Sequence, residues 1–123
     1  MITGAVNARR EAIISVDVQG PRGQRQALAA VIDTGFADFL TLPPTAIAAL
    51  GLRRDGVSRV VLGDGSESFL DAYKANVIWE GVQRTVDVHA ANTDPLVGMA
   101  LLAGHELRIQ VVAGGNVTVA AMP

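Results

Sequence analysis

Apolar and polar positions alternate over short stretches along most of the chain, which predicts strands far more often than helices. Ala12-Ile13-Ile14-Ser15-Val16-Asp17-Val18 is β-branched and partly alternating, and predicts a strand. Gln19-Gly20-Pro21-Arg22-Gly23 follows as a turn. Residues 26–32 predict a second strand with a wholly apolar end, Leu28-Ala29-Ala30-Val31-Ile32, so the two segments read as a hairpin. Phe39-Leu40-Thr41-Leu42 predicts a short strand that Pro43-Pro44 ends. Pro44 and the following Thr45-Ala46-Ile47-Ala48-Ala49-Leu50 suit a short helix, since Pro is tolerated in the first turn, and Gly51 suits its C-terminal cap.

Residues 57–62 and 68–79 predict strands on either side of Gly63-Asp64-Gly65-Ser66, where Asp-Gly is a hairpin signal. Glu80-Gly81 turns the chain again and residues 83–90 alternate as a strand. Asn92-Thr93-Asp94-Pro95 reads as a loop. Leu96-Val97-Gly98-Met99-Ala100-Leu101-Leu102 is apolar and fits strand or helix equally, with Gly104 breaking it. Residues 107–112 and 116–120 predict strands joined through Gly114-Gly115. Many short strands, one clear helix and frequent glycine turns indicate an all-β fold, a small closed barrel or a sandwich.

The 123 residues fit a single domain, residues 1–123. Half of them are hydrophobic but only 4% are aromatic, so aliphatic side chains must fill the core. The net charge of -2 and the absence of a basic run argue against nucleic acid as a partner. No cysteine is present, which excludes disulfides, thiolate catalysis and cysteine-ligated metals. There is no apolar run long enough to span a membrane, nor a signal-peptide pattern, so a cytoplasmic protein is expected.

The chemistry centres on Asp33-Thr34-Gly35. Five apolar residues precede Asp33, and such a strand is normally buried on both faces. A carboxyl group there is disfavoured as an anion unless hydrogen bonds compensate, and the Thr34 hydroxyl and the backbone at Gly35 can supply them. Such an environment suits acid–base catalysis. The triplet is also an ordinary turn that chance places in roughly a few per cent of chains this long.

Three segments together resemble the retropepsin-like aspartic proteases, most closely the small bacterial and archaeal members with Phe after Asp-Thr-Gly. Residues 31–43, Val-Ile-Asp-Thr-Gly-Phe-Ala-Asp-Phe-Leu-Thr-Leu-Pro, resemble the catalytic loop and the strand after it. Val60-Val61-Leu62-Gly63-Asp64-Gly65-Ser66 resembles the glycine-tipped flap, and residues 95–102 resemble the apolar-apolar-Gly signature, here Val97-Gly98, leading into a short helix. The resemblance covers roughly residues 12 to 112. It implies an acid-protease barrel with one or two short helices and a β-hairpin flap.

It also implies an aspartic endopeptidase without cofactor or metal, acting on a peptide or protein substrate. Two carboxylates of that family face each other and share one proton. No second Asp-Thr-Gly or Asp-Ser-Gly is present, so Asp33 would have to meet its own copy in a homodimer. By this resemblance Thr34 would lock the two loops and Gly35 would bind substrate backbone. Phe36, Asp38, Leu62, Gly63, Asp64, Gly65, Val97 and Gly98 would line the cleft and the flap. Phe36 stands where viral members have a small residue. Ala37 and Met99 replace an acid and an arginine that pair in viral members, so neither charge is orphaned. The alternative is a catalytically inactive module of the same fold that binds peptides or dimerises.

Other chemistry finds little support. His89 and His105 without cysteine make a poor zinc set. Gly63-Asp64-Gly65 lacks the Gly-Lys-Ser/Thr of a phosphate loop, and Ser66 and Ser68 have no base nearby in sequence. Tyr73 and Trp79 read as core or interface residues, and the mixed-charge clusters at residues 9–11 and 53–55 as solvated surface.

Overall fold

The computed structural model describes residues 1–61 and 64–123, and among these it forms ten strands and two short helices. β1 (Ile2–Val6) opens the chain. The expected first hairpin is β2 (Ala12–Gln19) and β3 (Arg25–Ile32), antiparallel from Ile13 opposite Val31 to Gln19 opposite Arg25. The alternation of β2 buries Ala12, Ile14, Val16 and Val18 and leaves Ser15 in solvent.

β4 (Leu40–Leu42) leads into α1 (Pro44–Leu50), which buries Ala46, Ile47 and Leu50. Gly51 adopts the left-handed conformation and its N–H donates to the carbonyl of Ala48, capping the helix as expected. β5 (Arg53–Val61) begins four residues earlier than the alternation predicts. Arg53, Arg54, Asp55 and Gly56 are all exposed, so the pattern could not reveal them. Backbone pairing with β6 (Glu67–Trp79) recruits them, across an irregularity between Arg54 and Val57.

Glu80 and Gly81, with φ of 51° and 78°, make the two-residue turn to β7 (Val82–Ala90). The ambiguous apolar segment divides at Gly98 into β8 (Leu96–Val97) and α2 (Met99–Leu102). β9 (His105–Ile109) and β10 (Asn116–Ala121) close the chain. Val111 and Val112, expected in a strand, lie in the intervening loop and are exposed.

No pattern pointed to β1, because Gly4 interrupts its five residues and only Val6 is fully buried. The glycine is nevertheless required. β1 pairs with both β2 and β10, and a Cβ at Gly4 would lie 1.9 Å from the Ile13 carbonyl oxygen.

The sheet order is β5-β6-β7-β4-β8-β3-β2-β1-β10-β9, with a further pairing of β6 to β2. All neighbours are antiparallel except β3 with β8 and β4 with β7. One aliphatic core joins β2, β4, α1, β7, β8, α2 and β10 around Val18, Leu42, Leu50, Val88, Val97, Leu101 and Val119, with Trp79 at its edge. Among the described residues no helix is long and apolar enough to cross a membrane.

Candidate active site

Asp33 follows the last residue of β3, and its position is fixed through the backbone. The parallel pairing of β3 with β8 sets Ile32 opposite Val97, and the Asp33 N–H donates to the Val97 carbonyl at 2.9 Å. The chain then turns: the Phe36 N–H donates to the Asp33 carbonyl at 3.2 Å, and the Gly35 N–H donates to Asp33 Oδ1 at 2.9 Å. One carboxylate oxygen is thereby held by the turn, as in other Asx turns.

Two expectations about this acid need correction. β3 is not buried on both faces: Ala27 and Ala29 are exposed, and burial alternates along the strand. A run of small apolar residues conceals this, because alanine on a solvated face costs little. Asp33 is therefore half-buried rather than enclosed, and Thr34 is exposed at the loop tip. Within the protomer the Thr34 hydroxyl makes no hydrogen bond to Asp33 among the described residues.

Val97-Gly98 clasps the loop from the other side. The Gly98 N–H donates to the Phe39 carbonyl at 3.0 Å, Met99 N–H to Phe36 at 2.8 Å, and Ala100 N–H to Asp38 at 3.1 Å. Gly98 is extended, so its conformation does not demand glycine; space does. A Cβ would lie 2.1 Å from the Asp38 carbonyl oxygen and 2.8 Å from that of Phe36. Below the clasp, buried Thr41 accepts a hydrogen bond from the Leu96 N–H on Oγ1 at 3.1 Å. Thr41→Val keeps the shape but orphans that donor. It is expected to cost about 1–2 kcal/mol, read as a fall of several degrees in thermal melting.

Beside the loop, Phe36 packs edge-to-face on His89, with ring centroids 6.0 Å apart. Asp38 Oδ2 lies 3.8 Å from His89 Nδ1, and the Asp38 side chain is half exposed. His89 is buried on β7 and belongs to this neighbourhood, although nothing in the strand alternation singled it out.

The structure therefore brings Asp33, Thr34, Gly35, Phe36, Asp38, Val97 and Gly98 into one hydrogen-bonded loop pair. Asp64 and Gly65 sit in the connection between β5 and β6. The Ser66 hydroxyl and N–H donate to Asp64 and hold its carboxyl below the usual range. Leu62 and Gly63, expected at the flap, lie outside the described residues. Among the described residues no hydrogen bond or ion pair links Asp64 to the Asp33 loop.

Neither a protein-family model nor a curated protein sequence matches the chain. In three dimensions it is similar to a crystal structure of a retropepsin-like aspartic protease from Rickettsia conorii, with a TM-score of 0.58. The alignment spans 97% of this chain and 90% of that one at 17% sequence identity. The chain has the retropepsin-like fold. At this identity the likeness speaks for the retropepsin-like architecture alone, and the chemistry rests on Asp33 and its neighbours.

Proposed function

We propose that the chain is an aspartic endopeptidase that acts as a homodimer, with one catalytic site formed by two copies of Asp33. The observation that carries this is the Asp33 loop itself. Its carboxylate sits at the end of a strand and is held at Oδ1 by the Gly35 N–H, while Val97-Gly98 fixes the backbone on both sides, in a fold shared with an aspartic protease.

A half-exposed acid at a loop tip is poorly suited to act alone, but it is placed to meet a second acid across a two-fold axis. The pair would then share one proton. The ionised member takes a proton from water as it attacks the peptide carbonyl, and the protonated member donates to the developing oxyanion. Exposed Thr34 is free to hydrogen-bond to the partner loop. The β5–β6 hairpin, with Asp64 and Gly65 in its connection, would close over the substrate as the flap. The pairings β2-β3-β8-β4-β7-β6 return to β2, which supports a closed barrel in a single domain of residues 1–123. No cofactor or metal enters this chemistry, and the site is expected to work in the cytoplasm.

The test is a digest of a broad peptide library by the purified protein across acidic to neutral pH, with sedimentation on the same sample. Cleavage by a dimer is expected. A dimer that binds peptides without cutting them at any pH would instead make the chain a non-catalytic module.

A further inference from the structure

His89 is a buried polar residue that this chemistry does not use. In the sheet register it stands between Thr41 of β4 and Ala72 of β6. Only 3% of its surface is exposed, and its Nδ1 has no hydrogen-bond partner among the described residues. Buried polar atoms are nearly always partnered, so an orphaned one calls for a reason.

The group it faces is Asp38. At 3.8 Å the two side chains are too far apart for a hydrogen bond but close enough to pair as charges once the imidazole is protonated. Asp38 lies five residues after Asp33, and Ala100 holds its backbone. Its side chain is 49% exposed and, among the described residues, has no other ion pair or hydrogen bond. The ring contact and the two register partners of His89 are uncharged: Phe36 from the loop, Thr41 from β4 and Ala72 from β6. Two register positions along, Lys74 of β6 is engaged by Asp87 of β7 and Asp55 of β5. No cation within this set neutralises Asp38.

We propose that Asp38, with the Phe36 ring beside it and His89 beneath it, forms a subsite that selects a basic substrate side chain, and that protonation of His89 suppresses this preference. A lysine or arginine would lay its aliphatic stem along Phe36 and set its charge against the open side of the carboxylate. When His89 gains a proton, the compensating charge comes from within the protein and the subsite no longer attracts a cation. The inference rests on the peptidase reading for the cleft to which it assigns Asp38.

The experiment is a randomised peptide library digested at about pH 8 and about pH 5.5. It is read as the enrichment of Lys and Arg over norleucine at each position around the cut. Wild type should show about fivefold enrichment at one position at the higher pH, the size expected of an ion pair at a solvent edge. That enrichment should largely vanish at the lower pH. Asp38→Asn should abolish it at both, and His89→Gln should retain it at both. An active enzyme without basic enrichment at the higher pH overturns the proposal, and so does enrichment that survives Asp38→Asn. Loss at low pH that persists in His89→Gln overturns the role of His89. The wild-type and Asp38→Asn results stand even if His89→Gln does not fold. If wild type cuts nothing, the peptidase reading fails separately. The same library is then panned against the Asp33→Asn protein, where pH-dependent capture of basic peptides supports the subsite and its absence overturns it.

Discussion

Asp33→Asn is expected to lower kcat/KM for peptide cleavage by about a thousandfold, within the range that loss of a general base produces. The substitution is nearly isosteric. Asparagine can still accept the Gly35 N–H at the site where Asp33 Oδ1 now accepts it at 2.9 Å. The backbone bonds of residues 33 and 36, to the Val97 and Asp33 carbonyls, do not involve the side chain at all. The loop should therefore keep its shape, and melting temperature and sedimentation should match wild type. What is lost is the ability to exchange a proton with water and with the second acid. Cleavage that survives unchanged would leave Asp33 as no more than a turn residue.

Gly98→Ala is expected to produce a large loss of stability, about 3 kcal/mol. The added methyl group would stand 2.6 Å from the Phe36 ring, which can swing away. It would also stand 2.1 Å from the Asp38 carbonyl oxygen and 2.8 Å from that of Phe36. Those carbonyls cannot yield cheaply, because they accept the Ala100 and Met99 N–H groups that hold α2 against the loop. Relief requires the two segments to part, which breaks the clasp around Asp33. In a domain of this size the melting temperature should fall by about 10 °C or more, with peptidase activity falling alongside. A shift of only a degree or two would mean that the clasp is softer than its hydrogen bonds imply.

Much of this architecture was legible in the residues. β2, α1 and the Glu80-Gly81 turn carry local signals that agree with their surroundings: alternation, a proline start with a glycine stop, and a glycine at a turn position of positive φ. Where the local signal failed, a longer-range contact had decided the outcome. β1 and the start of β5 are strands because backbone partners lie beside them, while their own side chains are mostly exposed or interrupted by Gly4. The Asp33 loop and Val97-Gly98 could each be picked out, but not the hydrogen bonds that lace residues 36–39 to 98–100. The apolar run before Asp33 overstated its burial, since small alanines fit a solvated face as well as a core. His89 was invisible for the opposite reason. It alternates in phase with Thr85 and Asp87 on the more polar side of β7, yet it is buried, with Phe36 packed against its ring.

The central claim is that two copies of Asp33 make one site, and subunit mixing tests it most directly. Wild type and Asp33→Asn chains would be unfolded together, refolded in equal amounts, and assayed at constant total protein. If each site needs an aspartate from both protomers, only wild-type pairs cut, and activity should fall to about one quarter of the undiluted enzyme. Activity near one half, in simple proportion to the wild-type chains, would mean that each Asp33 works alone and would contradict the account.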